Sequence, residues 1–561
     1  MLRTAKWSAA LCLLIVLCGS AAHAQTVINA ASCNKSDVSK ALGQVSSGSY
    51  IVAIPSGTCT WTSQLSYTIP SAVTNLTIQG NTAVNCTGTA GTSSYACTPT
   101  DNTVLVDAYA AANQQIWSIT TGAASTSFRI TGITFQGGNL AQGLNKPSGF
   151  IVLYGSTHSL RVDHCHFNTQ TYTIHDFGGG VTHYGLIYGV YDHNRFDFYG
   201  TENGVRDYAG GDAYGDLPYS QPTGFGSVNF IFLENNEFNG GFVNDCNLGA
   251  QEVVRYNMII SDSNDTAADS GAIQTHAMGQ GTQRERGCRA MEEYHNYQFN
   301  PTPAYPEYGG ADGDTGTGLR WGNTLSSGYQ FDMVFQEIRE IAAGHAQTNA
   351  PNGIGYCGSS SNGVVSPWDG NSGLKSGGWP CIDQTGRGQG DLINGQNFPV
   401  MAAATVTGTY SWPHNMLEPW YVWNETIVSG NIYNLPCWNG VCRNPNLDFY
   451  SQVGTTANTS PSSPFNGTTG TGFGTLTNRP STCTAGPGGT YGQSPTGSYG
   501  VAYFATDANS GNGELYVCTA TNTWTAIYTP YTYPHPLTTG GSTGNNSGAP
   551  APPTNVSATV Q

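Results

Sequence analysis

A short segment recurs along the chain, and this recurrence constrains the fold more than any other feature of the sequence. Most copies place an apolar residue, a polar one, a small polar pair and then an aromatic or aliphatic residue. Their spacings suit one or two turns of a solenoid with about 20 residues per turn. The pattern predicts an all-β fold, a right-handed single-stranded parallel β-helix. The aligned copies are RITGITF (129–135), RVDHCHF (161–167), VYDHNRF (190–196), FLENNEF (232–238), VVRYNMI (253–259), EEYHNYQF (292–299) and YVWNETI (421–427).

The alignment superimposes five asparagines, which we expect to stack inward and satisfy buried amides of neighbouring coils. The alternative fold is an antiparallel β-sandwich, which also has short strands and glycine-rich turns. Sandwich strands recur roughly every 8 to 12 residues with hairpin turns, and no such turn signal recurs here. The solenoid is therefore favoured. The five asparagines are Asn194, Asn236, Asn257, Asn296 and Asn424.

The chain divides into four predicted segments. Residues 1–24 combine Arg3 and Lys6 with an apolar run, which predicts a secretory signal and a periplasmic or extracellular location. We expect no membrane insertion, because the run is shorter than the ~20 residues of a membrane span. The predicted β-helix covers 25–450, with long loops, and begins with a helix over 36–45, capped by Ser36. Residues 451–538 form either a β-rich appendage or a strap along the solenoid. Residues 539–561 resemble a flexible linker with the start of a fibronectin type III module.

Composition points to a hydroxyl-rich ligand. Only 10% of residues are charged, whereas the chain contains 73 glycines and 31 tyrosines. The formal net charge is −16, and nucleic acid is a poor partner because phosphate recognition rests on clustered lysine and arginine. We expect a monomer that binds an extracellular polysaccharide and no nucleic acid.

The cysteines indicate an oxidising compartment, because most of the 15 can be paired locally. Cys165, Cys246 and Cys288 remain, and we expect buried thiols there rather than a metal site, which would favour CxxC spacing. The pairs expected from proximity are Cys33–Cys59, Cys86–Cys97, Cys357–Cys381, Cys437–Cys442 and Cys483–Cys518.

One outward position of the repeat carries charged residues in successive copies. Coils lie about 4.8 Å apart, so these side chains form a ladder in which carboxylates repel unless a cation joins them. We therefore predict Asp163, Asp192 and Glu234 as ligands of Ca²⁺, with Arg255 as a substrate-binding residue. In the alternative, Arg255 pairs with Glu234 and the two aspartates are solvated or bonded to turn amides.

The segment RVDHCHF resembles the DHCxF stretch of pectate lyases, and VYDHNRF echoes it one unit later. The resemblance includes Asp163 and His164. The run 276–296, together with PCIDQTGRG and EPWYVWN, also resembles β-helix repeat proteins of bacterial secretomes. The resemblance implies a secreted, pectate-lyase-like parallel β-helix.

The run 276–296 contains the densest group of reactive side chains. β-Elimination requires the charge of a uronate carboxylate to be neutralised, which arginine forks can do. We assign this role to Arg286 and Arg289, rather than to the loop residue Arg284, with Tyr294 or His276 protonating the leaving oxygen. In the alternative, Arg289 forms a structural salt bridge.

Two further features of the late repeats carry expectations. Glu293 falls at an inward position of the repeat, and we expect a register slip there rather than a buried carboxylate. Asp383 and Arg387 either bind substrate at the groove or anchor their loop.

These features favour a polysaccharide lyase that acts on an acidic glycan. A glycoside hydrolase on the same scaffold would need two carboxylates across a groove, for which Glu292 and Asp245 are conceivable. A non-catalytic carbohydrate-binding or adhesive solenoid is the third hypothesis. The fold is shared by all three, so it does not choose between them.

Overall fold

The computed structural model describes most of the chain. The described residues are 25–110, 115–138, 149–171, 179–199, 202–209, 222–261, 273–275, 287–302, 307–335, 385–391, 414–428, 434–435, 437–438, 441–442, 445–452, 465–486 and 499–539.

The protein is a parallel β-helix, as the repeat predicted. Most coils contribute one strand to each of three parallel sheets, here called A, B and C. One coil, for example, passes through Ser127–Thr131 in sheet A, Thr134–Gly137 in sheet B and Ile151–Tyr154 in sheet C, and then returns to sheet A at Thr157–Asp163. Parallel pairing between successive coils rules out the antiparallel sandwich.

Sheet A has twelve strands and sheets B and C have ten each. The strands of sheet A are Thr26–Asn29, Gly48–Ala53, Val73–Gln79, Ser127–Thr131, Thr157–Asp163, Ile187–Asp192, Ile231–Glu234, Gln251–Arg255, Ala290–Tyr294, Thr317–Trp321, Trp420–Trp423 and Phe449–Ser451. The strands of sheet B are Gly57–Trp61, Thr103–Asp107, Thr134–Gly137, His166–Asn168, Arg195–Asp197, Glu237–Asn239, Met258–Ile260, Tyr297–Phe299, Thr324–Leu325 and Thr426–Ile427. The strands of sheet C are Leu65–Thr68, Trp117–Thr120, Ile151–Tyr154, Gly179–Tyr184, Asn203–Tyr208, Phe242–Asn247, Ile273–Thr275, Glu307–Gly313, Tyr329–Val334 and Asn434–Leu435.

The aligned copies have the predicted register in sheet A. Arg129 pairs with Arg161, and the same position continues through the later coils. The sequence alignment overlooked one coil, LRWGNTL, in which Gly322 replaces the usual polar residue before Asn323.

The asparagine ladder is present, but its last member was assigned wrongly. Asn194, Asn236, Asn257, Asn296 and Asn323 are buried, and each side-chain oxygen from Asn236 onward accepts hydrogen bonds from the preceding asparagine. Asn424 lies one position earlier in the coil, and Glu425 accepts the bonds of Asn323 instead. The mutual bonding leaves few orphaned amides in a tight turn.

The residue just before each ladder position has a left-handed backbone, which turns the chain from sheet A into sheet B without a loop. Non-glycine residues adopt this conformation rarely, and asparagine and histidine are among those that tolerate it best. The residues at this turn position are Gly132, His164, His193, Asn235, Tyr256, His295, Gly322 and Asn424, with φ between 51° and 67°.

Apolar side chains fill the interior of the solenoid. Phe135, Phe167, Phe196 and Phe238 stack from coil to coil with ring centroids 4.6 to 5.1 Å apart. A helix at Lys35–Leu42 covers the first coils with buried Val38, Ala41 and Leu42, and thereby shields the end of the core. Its N-cap residue is Asn34, not Ser36 as predicted.

The C-terminal segment is both an appendage and a strap. Its four-stranded sheet packs on the outer face of sheet A, where Trp321 and Trp423 contact Phe504. The strap, residues 529–539, continues along the same face and ends in the helix Pro536–Thr539. The strands of this C-terminal sheet are Thr471–Gly474, Ala502–Ala505, Glu514–Ala520 and Thr523–Tyr528, with 3₁₀ turns at Leu476–Asn478 and Asn509–Gly511.

Among the described residues, three two-stranded antiparallel sheets lie outside the three sheets of the solenoid and the C-terminal sheet: Ala83–Thr87 with Ala96–Thr100, Arg387–Asp391 with His414–Leu417, and Cys437–Trp438 with Val441–Cys442. Within the part of the chain that the structure describes, no helix is long and apolar enough to cross a membrane.

The disulfides largely follow sequence proximity. The structure contains Cys33–Cys59, Cys86–Cys97 and Cys483–Cys518 as expected, and Cys165 is a buried thiol. Cys246 and Cys288 were expected to be thiols but form a disulfide, because adjacent coils bring their Cα atoms within 5.0 Å. Cys437 and Cys442 are opposed in their hairpin, whereas Cys357 and Cys381 lie outside the described residues.

Candidate functional site

The predicted calcium ligands lie in one stack but not at the surface. Asp163, Asp192 and Glu234 occupy matching register positions in sheet A, and all three are fully buried. They point outward, as predicted, into the face that the C-terminal segment contacts: the backbone N–H of His535 in the strap donates to Glu234 at 2.7 Å. The strap therefore helps to bury these carboxylates, although they point away from the core of the solenoid.

Arginines already occupy the carboxylate oxygens of this ladder. Arg129 binds both oxygens of Asp163, and Arg161 binds both oxygens of Asp192 at 2.9 Å. Burial alone would raise the pKa of both aspartates, but these arginines and the neighbouring imidazoles hold it below its usual value. The calcium assignment is therefore wrong for this trio, because its oxygens are not available to a metal ion. Across the described ranges, no group of three or more histidine, cysteine or acidic side chains could hold a metal ion.

Arg255 and Tyr294 anchor the strap rather than contact substrate. The fully buried Arg255 guanidinium donates to Glu234 at 2.8 Å, to the Tyr294 hydroxyl at 2.7 Å and to the carbonyls of Tyr531 and Thr532. The pKa of Tyr294 is raised well above its usual value, mainly by burial. The predicted substrate-binding and proton-donating roles are wrong, because neither side chain is exposed.

Arg289 forms the structural salt bridge that was the alternative assignment. It lies immediately before the strand Ala290–Tyr294, is fully buried, and places one guanidinium nitrogen 2.6 Å from Glu418. The predicted catalytic role is therefore wrong. Of the remaining predicted site residues, Arg387 begins a hairpin strand, and the others lie outside the described residues: His276, Arg286 and Asp383.

Glu293 points into the solenoid without any register slip. It pairs with Val254 on one side and Arg320 on the other, and the Arg320 guanidinium donates to it at 2.6 Å. The predicted slip is wrong, because a buried arginine compensates the carboxylate. The conceivable hydrolase pair is not assembled either: Glu292 belongs to sheet A under the C-terminal sheet, whereas Asp245 belongs to sheet C.

The outer face of sheet C carries a row of tyrosines, of which Tyr154 and Tyr184 are exposed and Tyr208 is half-buried. Tyr154, Tyr184 and Tyr208 occupy the same register position on three successive coils, with ring centroids 5.3 and 5.2 Å apart. Side chains alternate along a strand, so these rings point outward while Leu153 and Val181 fill the core. Tyr154 is 40% exposed and Tyr184 is 37% exposed. We call these three residues the tyrosine ladder.

Two charged side chains adjoin the tyrosine ladder. Arg206 lies two residues before Tyr208 on the same face, with its guanidinium carbon 5.6 Å from the Tyr208 ring centre. Arg206 also donates to Asp245 on the next coil at 2.8 Å, and Asn247 donates to the other oxygen of that carboxylate. The end of the tyrosine ladder at Tyr208 therefore adjoins the Arg206–Asp245 ion pair.

A second aromatic pair flanks the same edge. His158 and Tyr188 follow Tyr154 and Tyr184 by four residues on their coils, and their rings lie 5.0 Å apart. The chain turns between the ladder and this pair at Gly155 and Gly185, where φ is above +100°. A β-carbon on Gly185 would lie 2.1 Å from the Gly155 carbonyl, so only glycine allows the coils to approach here.

The tyrosine ladder was not predicted, because the aligned copies of the repeat lie in sheet A and the turn into sheet B. The available signal was a Tyr-Gly pair repeated at Tyr154 and Tyr184, one coil apart. Comparisons of the chain with protein-family models, with curated proteins and with solved structures found no significant match.

Proposed function

We propose that this protein acts on an extracellular polysaccharide that it binds along the tyrosine ladder, and that its reaction is β-elimination from a uronate-containing glycan. The exposed, regularly spaced ladder carries the proposal. Because the rings stack on one another, they present edges and hydroxyl groups to solvent rather than open faces. A polymer with repeating hydroxyls can contact several rungs at once, which multiplies weak individual contacts.

Arg206 supports an acidic glycan as the substrate. Its guanidinium adjoins Tyr208, and cations of this kind neutralise the uronate carboxylate during β-elimination. The neighbouring Tyr184 keeps its hydroxyl proton at neutral pH, and partial burial raises its pKa, so it is a weaker acid than a free tyrosine. We assign it proton donation to the leaving oxygen because of its position in the ladder. Arg206, which is bonded to Asp245, contributes positive charge beside the ladder, and removal of the ring proton is assigned to none of the described residues.

Binding without turnover is the second candidate function. One observation favours it: Arg206 and Asp245 are at most 8% exposed, whereas the tyrosines beside them are open to solvent. A surface that exposes rings and covers its charged groups suits retention of a glycan more than chemistry on it.

Incubation of the full chain with acidic and neutral glycans distinguishes the candidates. A lyase produces unsaturated uronate, which is detected by its ultraviolet absorbance. A hydrolase releases reducing sugar without that absorbance, and a binder retains the glycan without any product. Absence of both binding and turnover on acidic and neutral polymers would contradict the proposal.

Replacing Tyr184 with alanine is expected to weaken glycan binding about tenfold, because removal of the middle rung takes contacts from the polymer and stacking partners from both neighbours. The measurement is affinity electrophoresis or calorimetry with the bound glycan. Tyr184→Phe keeps the stack but removes the hydroxyl, so its affinity for the glycan should lie between those of the wild type and Tyr184→Ala. Tyr199→Ala serves as the control, because Tyr199 is 39% exposed but lies outside the ladder. An equal loss in both alanine variants would refute a specific role for the ladder.

A further inference from the structure

Two histidines form a parallel pair at the corner between sheets A and B, away from the tyrosine ladder. His164 and His193 occupy the left-handed turn position on successive coils, with φ of 51° and 54°. Their rings are stacked 5.3 Å apart and only 4° from parallel. Because the turn fixes the backbone and the coils fix the spacing, the pair is held rigidly.

Each ring is oriented by a buried carboxylate. Nδ1 of His164 lies 2.7 Å from Asp163, and Nδ1 of His193 lies 2.9 Å from Asp192. Nδ1 of each ring is taken by its carboxylate, and among the described residues no hydrogen bond is made by either Nε2. The imidazole side chains are 30% and 22% exposed, whereas the two carboxylates are not exposed at all.

The imidazole rings are thus partly open to solvent, whereas the acidic groups are covered. The aspartates are already bound by Arg129 and Arg161, so the two imidazoles lie over carboxylates whose charge is compensated. Burial alone would lower the pKa of His193, but the hydrogen bond and the charge of Asp192 outweigh it and raise the pKa above its usual value. A cationic spot of this kind is notable in a chain with a formal net charge of −16.

We propose that His164 and His193 bind an oxyanion, such as a sulfate ester or a uronate carboxylate, through their two Nε2–H groups. Parallel rings 5.3 Å apart suit an anion that lies between two donors and accepts from both. A single metal ion suits them less, because zinc–nitrogen bonds are about 2.0 Å long and both nitrogens would have to converge on one point.

The site should bind more weakly as the pH rises from about 6.5 through the raised pKa of His193, since a neutral imidazole that donates from Nδ1 has no Nε2–H to donate. Asp163, Asp192, Arg129 and Arg161 are the charged groups on sheet A that adjoin the pair. Among the described residues, His535 of the strap and Tyr95 of the hairpin Ala83–Thr87/Ala96–Thr100 are further titratable groups near the pair, since both interact electrostatically with Asp192. The pKa of His535 is lowered to about 4, chiefly by burial, and that of Tyr95 is raised by burial, so neither changes charge in this range.

The test is a titration of the full chain with sodium sulfate at constant ionic strength, followed by the imidazole NMR signals. We expect sulfate to shift the signals of His164 and His193 saturably and to raise their pKa. His158 is the internal control, because it is exposed and contacts the Tyr188 ring but is not an anion partner in the proposal. Sodium glucuronate in place of sulfate tells whether a carboxylate is accepted as well.

The double variant His164→Asn/His193→Asn should bind sulfate at least about tenfold more weakly than the wild type, because both charge-assisted bonds are lost. Asparagine suits the backbone, since Asn235 and Asn424 occupy the same turn position on other coils. The melting temperature without sulfate reports whether the variant folds, and His158→Asn should leave sulfate binding unchanged. Equal shifts at all three histidines, or wild-type affinity in the double variant, would overturn the proposal. This inference does not depend on the function proposed for the tyrosine ladder.

Discussion

Replacing Arg255 with methionine is expected to lower the free energy of unfolding by about 3 to 5 kcal/mol and to release the strap from sheet A. The change leaves Glu234 as a buried carboxylate without its arginine, which accounts for most of the loss. The carbonyls of Tyr531 and Thr532 lose their donor at the same time. Urea unfolding measures the free energy, and limited proteolysis with mass spectrometry detects cleavage within residues 529–539.

Two further variants separate the buried charge from the loss of anchoring. Arg255→Met/Glu234→Leu removes both charges, and we expect it to recover much of the free energy while the strap remains more sensitive to protease than in the wild type. Arg479→Met is the matched control, since Arg479 is partly exposed and lies 4.0 Å above the Tyr516 ring within the C-terminal sheet. It should cost about 1 kcal/mol or less. Wild-type stability and protease resistance in Arg255→Met would contradict the anchoring role.

Replacing Glu292 with glutamine is expected to abolish a pH-dependent change of about 3 kcal/mol in the free energy of unfolding. This is the second largest effect that we expect. Glu292 lies between sheet A and the C-terminal sheet and accepts hydrogen bonds from the Gly226 N–H at 2.7 Å and the Tyr528 hydroxyl at 2.9 Å. Complete burial raises its pKa from 4.5 to about 7.

The direction of the pH dependence follows from the raised pKa. Folded Glu292 holds its proton more tightly than the unfolded chain does, so its stabilising contribution is complete below pH 4.5 and is lost as the pH rises to about 7. Glutamine resembles the protonated form and does not titrate. We therefore expect the variant to match the wild type near pH 4.5 and to be more stable than it at pH 8.

The measurement is urea unfolding of the wild type and Glu292→Gln across this pH range, with the difference between the two as the readout. Other buried acids, including Glu293 with a pKa raised to about 7 by burial, contribute equally to both proteins and cancel in that difference. Glu514→Gln removes the same charge from a partly exposed side chain of the C-terminal sheet and should follow the wild-type curve. Parallel curves for the wild type and Glu292→Gln would show that Glu292 stays ionised in the fold.

The solenoid itself could be predicted because its information is local and repeated. Every coil repeats the same alternation of inward and outward side chains. One wrongly aligned copy, such as the one with Asn424, therefore does not change the register of the others. The buried asparagine ladder was visible for the same reason. Disulfides between nearby cysteines were predicted correctly, whereas Cys246–Cys288 was missed because the bond joins residues 42 apart through adjacent coils.

The candidate site could not be predicted, because an outward position in a strand is not necessarily an exposed one. Asp163, Asp192, Glu234 and Arg255 point outward as the alternation requires, yet all four are buried. Whether an outward side chain meets water depends on what else the chain places over that sheet. Sheet A is covered and sheet C keeps its tyrosine ladder partly open, a difference that the repeat does not encode.

The sequence by itself determined the coil, the side-chain alternation and the inward asparagines, because each follows from neighbours within one repeat. Only the tertiary structure determined that the C-terminal segment buries part of the outer face of sheet A and leaves that of sheet C partly open. That decision rests on contacts between residues far apart in sequence, such as the His535 N–H with Glu234 and the Tyr528 hydroxyl with Glu292, which are separated by 301 and 236 residues. No periodic signal links such positions, since their pairing depends on the shape and hydrogen-bonding groups of two surfaces that exist only after each has folded.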